Sequence, residues 1–333
     1  MRLALAAASL LALAGCAHAS EPPVVRAAAV PAPVAAPAEP PTPASVIAAA
    51  PPSAWRPIDP ADLLVMDLAP DAAGKPRRVV IQLVPKPFSE GWTSNIRKLA
   101  QAHWWDGTSV YRVVDNWVAQ WGDVDETKPL PEGMRSMTSS EFVTPVERDP
   151  QGIRDYVLTP EREEIVVSPF IDSYAIPAFA AGWPVGLDQQ GGATAWPVHC
   201  YGAVGVARSV EDMGSGSELY AVIGHAPRQL DRIIAVVGRV IEGIEHLSVL
   251  PRGTADAGVY ATAEERVPIV SVRLGNEVAE FPQPQFEYLD TASESFAEYL
   301  KVRANRSDAF YIAPAGGIDV CNVQVPIRRV AAE

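Results

Sequence analysis

Apolar and polar positions along this chain alternate in short runs of strand length, bounded by glycine, proline and aspartate. LLVMDL (residues 63–68) and RVVIQLV (78–84) flank the turn-forming APDAAGKP and predict a β-hairpin. Ser89 is placed to cap a helix running through Ile96 and Leu99 to Ala102, with Trp104 and Trp105 packing at its end. Residues 107–123, GTSVYRVVDNWVAQWGD, predict two further short strands. Strict alternation puts Tyr111, Val113 and Asp115 on one face and Val110, Arg112 and Val114 on the other. Arg112 is then a lone cation among valines, costly unless it is paired, hydrogen-bonded or open to a groove. GAVGVAR (202–208), GSELYAVIG (216–224), RIIAVVGRV (232–240) and VPIVSVRL (267–274) are again short and β-branched, with a short helix in EGIEHLSVL. Many short strands and only two helices predict a mainly β domain, a sandwich or a barrel.

Three stretches break this rhythm. Residues 21–60 are dominated by Ala, Pro and Val, a composition that favours extended polyproline II and predicts a tether, with folded structure beginning near Asp62. Residues 124–196 are rich in Pro, Gly and charge and read as a long insertion within a domain spanning 61–276. From 277 to 333 a small α/β addition is expected. There Thr291 and Glu294 have capping-box spacing ahead of a helix carrying Phe296 and Leu300, and FYIA and VCNVQV are strand-like.

With 333 residues, 48% of them hydrophobic, the chain can bury one sizeable core with additions. A formal net charge of -13 argues against nucleic acid as a partner. The start, MRLALAAASLLALAGC, has a basic n-region at Arg2, an apolar run, and Leu13-Ala14-Gly15-Cys16. That ending resembles the lipobox of bacterial lipoproteins. The resemblance implies a signal peptide over 1–15, a lipidated Cys16 heading a tether over 16–60, and a membrane anchor in the cell envelope, where Ala17 favours the outer membrane over the inner. An ordinary secretory signal cut after Ala17 or Ala19 is the alternative. Cys200 and Cys321 remain, and in an oxidising compartment they are read either as a disulfide or as two buried free thiols.

The order of pieces carries a further resemblance. Asn95, Leu99, Trp105-Asp106-Gly107, Arg112-Val113 and Gln120 with Gly122-Asp123, followed by GAVGVARS, GSELY and LDRIIAVVGRVIEGIEHL, are similar to the two halves of cyclophilin-type peptidyl-prolyl isomerases. The resemblance implies a closed antiparallel eight-stranded β-barrel with two capping helices. It also implies isomerisation of X-Pro bonds in proline-containing polypeptides, by a monomer without cofactor or metal, and a role in folding exported or outer-membrane proteins. On this pattern Arg112 is catalytic and Gln120 holds it or the substrate backbone. Trp117, Val118, Arg208, Glu218, Tyr220 and Leu230 bind substrate. Several positions depart from the pattern. Tyr111 replaces a usual His, Trp121 a Gly, Glu218 a Gln and Tyr220 a Phe, while Ile234 and Gln229 replace a common His and Trp. A second reading follows from these departures, in which Glu218 pairs with Arg112 and the domain is a non-catalytic peptide-binding module. His199 beside Cys200 lacks further spaced ligands and reads as structural, and Ser215 and Ser217 have no hydrolase elbow around them.

Overall fold

The first described elements lie inside the stretch expected to be tether. The computed structural model describes residues 39–148, 156–158, 163–189, 194–279 and 283–330, so Cys16 and the signal-like segment lie outside the described residues. Helix α1 (Pro43–Ala49) and strand β1 (Trp55–Ile58) precede the first hairpin, β2 (Leu63–Leu68) with β3 (Arg77–Leu83). Helix α2 (Glu90–Gln101), β4 (Ser109–Val113) and β5 (Val118–Gly122) follow. Six short strands come next: β6 (Thr144–Arg148), β7 (Tyr156–Leu158), β8 (Glu163–Val167), β9 (Ile176–Ala180), β10 (Trp183–Leu187) and β11 (Thr194–Pro197). The chain continues through β12 (Ala203–Val206), β13 (Leu219–Val222), β14 (Val236–Glu242), α3 (Glu245–Ser248) and β15 (Val267–Leu274). It ends in β16 (Phe286–Leu289), α4 (Glu294–Ala304) and β17 (Ile327–Arg329).

Eight strands close the main barrel in the order β12-β13-β5-β4-β15-β2-β3-β14, with every neighbouring pair antiparallel. Alternation decides what fills it: Leu64, Met66 and Leu68 of β2 join the barrel core with Val79, Ile81, Val204, Ala221 and Val272. Leu63, on the other face of β2, packs instead with Ile58, Val80 and Phe286, so the strand is buried on both sides and reads as an unbroken apolar run. Trp92, Ile96 and Leu99 of α2 pack into this core, and Leu247 of α3 joins it. Ser89 does occupy the N-cap of α2, but with φ of 47° and without a capping bond. Its hydroxyl donates to Val236 O at 2.8 Å, tying the helix start to β14.

The insertion forms a barrel of its own. β6 to β11 close in the order β10-β11-β6-β7-β8-β9, around Val146, Leu158, Ile165, Ala178, Val185 and Leu187. A third sheet, β1-β16-β17, joins the two ends of the described chain, pairing Trp55 with Leu289 and Ile58 with Phe286. This corrects the tether reading for residues 43–60: Thr42 caps α1 through Ser45 N at 3.1 Å, and α1 packs on α4. The composition misleads there because the partners are distant, as in the 2.8 Å bond from Arg56 to Asp290, 234 positions on. The C-terminal reading is corrected too. Ser293, not Thr291, caps α4 by accepting from Phe296 N at 3.1 Å. FYIA is not a strand, and Val320–Asn322 is a single 3-10 turn. Phe310 and Ile312 stay exposed, so their apolar character reports no packing. Among the described residues no helix is long and apolar enough to cross a membrane.

Cys200 and Cys321 are joined by a disulfide across 121 positions, fastening the C-terminal segment beside the start of β12. A bond closing so long a loop restricts the unfolded chain strongly, by about 2–4 kcal/mol in typical cases. Replacing both cysteines by serine should lower unfolding stability by about that much in urea titrations; an unchanged midpoint would mean that packing alone holds the tail.

Candidate active site

Strand β4 is not regular. Its register with β5 shifts between Val110 and Arg112, so Tyr111 is an extra residue opposite a partner strand that has none to spare. Val110 and Val113 both enter the barrel core as a result. The expected alternation of faces fails at this point, and Tyr111 and Arg112 both serve the outside of the barrel. On the far edge of β4, residues 253–260 continue the pairing: Gly253 N donates to Val113 O and Tyr260 N to Tyr111 O, each at 2.9 Å, and Val259 bridges Arg112.

A directed chain of hydrogen bonds runs across this outer face. Arg112 Nη1 donates to Gln120 Oε1 at 3.0 Å, Gln120 Nε2 to the Tyr111 hydroxyl at 2.5 Å, and that hydroxyl to Glu218 Oε2 at 2.9 Å. Glu218 Oε1 accepts from Asp123 N at 2.7 Å. Gly122 makes room for this carboxylate: a Cβ there would lie 2.1 Å from it. Arg112 Nε donates to Ala257 O at 2.7 Å, and the guanidinium lies 5.3 Å from the Trp117 ring. Of its five N–H donors, three are left without a protein acceptor among the described residues. The Arg112–Glu218 ion pair of the second reading is not formed; Glu218 instead anchors the chain at its other end, through Tyr111.

Burial and neighbours set the charges. Burial lowers Arg112 from the ordinary arginine value, and the group remains a cation. Glu218 is pushed above the ordinary glutamate value by burial, against the Tyr111 and Asp123 bonds that pull it down. Burial first, then the Glu218 charge, drives Tyr111 well above the usual phenol range, so it stays a neutral relay.

Beside the guanidinium lies an apolar floor. Tyr220 pairs directly with Gln120, which itself pairs with Arg112, so the three form one row across β13, β5 and β4. Tyr220 and Val118 are buried in one cluster with Val222 and Val236, against which Val114, Trp117 and Ile234 pack. The Tyr220 ring lies on Gly205, where a Cβ would come within 2.4 Å of it. Trp117 follows a tight turn through Asn116, which has φ of 51° and whose Oδ1 accepts from His225 N at 2.9 Å. Leu230 is half-buried in a 3-10 turn over Arg228–Leu230.

Next to this floor is a cavity of about 510 Å³, bordered by Tyr111, Gln120 and Glu218 on one side and by Arg208, Ser215 and Ser217 on the other. Arg208 donates to Ile233 O and Ser209 O, each at 2.7 Å, and so lines this second space and not the floor. His199 is buried, bonded to Asp231 and Tyr220, and no group of three or more candidate ligands for a metal occurs among the described residues. Two contributors escape sequence reading. Ala257 acts through its carbonyl, which no side-chain motif reports, and Tyr111 stands out only as a replaced residue until the bulge turns it outward.

Comparison with known proteins places the chain in a family and a fold. The family model described as "Cyclophilin type peptidyl-prolyl cis-trans isomerase/CLD" matches residues 73–274. Among solved structures, the chain is similar to cyclophilin AquaCyp293 from Hirschia baltica, with 22% identity, a TM-score of 0.61, and coverage of 87% of this chain and 98% of that one. A cyclophilin-type isomerase from Cryptosporidium parvum, solved in the presence of the dipeptide Ala-Pro, has 12% identity and a TM-score of 0.34 over 63% of this chain and 98% of that one. No match is found among curated proteins.

The hydrogen-bond chain makes a titration testable. Following the side-chain carboxyl carbon of Glu218 by NMR should give a midpoint above the ordinary value of 4.5. Tyr111→Phe should move it further up, because the lost bond favours the carboxylate; a downward movement would refute the relay.

Proposed function

The chain belongs to the family of cyclophilin-type peptidyl-prolyl cis-trans isomerases, and from that premise we propose that it turns over X-Pro bonds at the row formed by Arg112, Gln120 and Tyr220. The observation carrying this reading is the half-buried Arg112, held by two neutral acceptors beside an apolar floor, with donors to spare and, among the described residues, no carboxylate paired with it.

An X-Pro peptide bond resists rotation because its nitrogen is conjugated with the carbonyl, and uncatalysed exchange takes tens to hundreds of seconds. The proline ring is apolar and suits a floor of Tyr220, Val118 and Trp117. A guanidinium N–H aimed at the prolyl nitrogen gains a lone pair to bind only when the bond is twisted and conjugation is lost. Such an interaction is stronger in the transition state than in either isomer and speeds exchange in both directions. Gln120 and Ala257 fix the planar guanidinium so that little is reorganised as the bond turns. No step transfers a proton or forms a covalent bond to substrate.

Where this happens is the finer part of the proposal. The lipobox-like Leu13-Ala14-Gly15-Cys16 supports a lipid-anchored protein of the bacterial envelope, whose clients are exported or outer-membrane polypeptides containing proline. Mass spectrometry of the mature N-terminus checks the anchor: a modified Cys16 is expected, and an unmodified later start would remove it.

Arg112→Ala should reduce kcat/KM on a tetrapeptide with a central Ala-Pro bond by roughly 10²–10³-fold, the scale seen when one donor to a transition state is removed. Arg112→Lys should not restore it, since a point charge cannot keep both the Gln120 and Ala257 bonds. Peptide binding without any turnover in the native protein would instead support the non-catalytic reading.

A further inference from the structure

Behind the apolar floor runs a second, fully buried polar chain. The Tyr220 hydroxyl lies 3.0 Å from His199 Nε2, with the two rings nearly parallel, and His199 Nδ1 lies 2.9 Å from Asp231 Oδ1. The same Oδ1 accepts from His199 N at 3.0 Å, which fixes the backbone as well as the ring. Asp231 Oδ2 accepts from Arg228 Nε at 2.6 Å. Arg228 then reaches out of the main barrel with a forked contact to Asp172, 2.6 Å to Oδ2 and 3.3 Å to Oδ1. Asp172 belongs to the loop between β8 and β9 of the inserted barrel, where its Oδ1 also accepts from Tyr174 N at 2.7 Å and Ala175 N at 3.2 Å. All five side chains are buried: His199 completely, Arg228 at 4%, Tyr220 at 5%, Asp172 at 7% and Asp231 at 8% exposure.

Direction can be assigned along the chain. Burial pushes the Asp231 carboxyl up, but the His199 bond and the Arg228 charge outweigh it and hold it below the ordinary aspartate value, so it accepts. His199 Nδ1–H therefore donates to Asp231, and the Nε2 side of the ring meets the Tyr220 hydroxyl. Tyr220 is held as a neutral phenol, raised by its burial. Its ring has Gly205 on one strand and Gln120 on the other, so the angle at which it meets the groove is set by its hydroxyl and by those two neighbours.

We propose that the inserted barrel fixes the substrate floor of the groove through Asp172, Arg228, Asp231 and His199, which act as positioning residues for Tyr220. The inserted barrel is thereby a determinant of how tightly the groove holds a proline segment, although none of its residues lies in the Arg112 row. This rests on the isomerase reading for its consequence, though the geometry of the relay does not depend on turnover.

A double-substitution cycle tests it with variants that keep shape: Asp172→Asn, Tyr220→Phe and both together, each in the folded protein. Binding of the Ala-Pro tetrapeptide should weaken about three- to tenfold in Asp172→Asn, the effect of a lost buried hydrogen bond. In the Tyr220→Phe background the same change should weaken it less than about twofold, because the relay already ends short of the ring. The Trp117 indole N–H resonance, which needs no substrate, should move with Asp172→Asn only while Tyr220 is present. An Asp172→Asn effect of equal size in both backgrounds, or an unmoved Trp117 resonance, would overturn the proposal. If no proline peptide binds the native protein, the isomerase reading fails while the resonance cycle still decides the relay.

Discussion

One extra residue in β4 decides what the barrel presents outside. A regular strand with Val113 in the core would send Tyr111 inward with it and leave Val110 outside. The bulge lets Val110 and Val113 both fill the core, while Tyr111 and Arg112 come to one outer region. Gln120 then stands directly opposite Arg112, and Tyr220 directly opposite Gln120. The meeting of the guanidinium with its holder thus follows from a single local change of register, beside a floor that β5 and β13 carry. The edge segment 253–260 completes the arrangement by supplying the Ala257 carbonyl at a residue with φ of 56°, a left-handed conformation that alanine adopts only under tertiary constraint.

The two sides of that row handle buried charge in opposite ways. Arg228 is matched by two carboxylates at 2.6 Å and is raised above the ordinary arginine value by them, despite burial. Its hydrogen-bonding capacity is largely consumed, which suits a strut. Among the described residues Arg112 bonds to neutral oxygens alone, and burial lowers it. Its nearest link to a carboxylate passes through Gln120 and Tyr111 to Glu218. A direct partner would satisfy the cation and occupy the donors that a substrate needs. The indirect link orients Arg112 and leaves those donors open.

What the sequence made legible follows from the range of the interactions. The β2–β3 hairpin, the extent of β15 and the short α3 rest on local alternation and turn residues, and all three stand in the structure. The Arg112, Gln120, Trp117 and Tyr220 grouping was readable from family spacing. The inserted barrel was not. Its strands have three to five residues, several carry proline, and closure depends on pairing rather than on any run being strongly apolar. β1 hid inside an alanine- and proline-rich stretch because its partner is β16. The bulge at Tyr111 was hidden for a different reason: alternation is a rule about regular strands, and nothing in SVYRV announces the exception.

The place of the insertion explains why a second barrel can reach the groove at all. In the main barrel β13 lies between β5 and β12, yet the insertion lies in the connection that leads from β5 to β12. The chain therefore leaves along one neighbour of the Tyr220 strand and returns along the other. His199 sits on the returning segment just ahead of β12, next to the disulfide at Cys200, and its ring meets the Tyr220 hydroxyl. The loop around Asp172 needs only to meet Arg228, which follows β13 directly. An insertion at a hairpin on the opposite side of the barrel would have no such access. Growth of the fold at this one connection thus places new buried polar groups behind the substrate floor without disturbing the strands that carry Arg112 and Gln120.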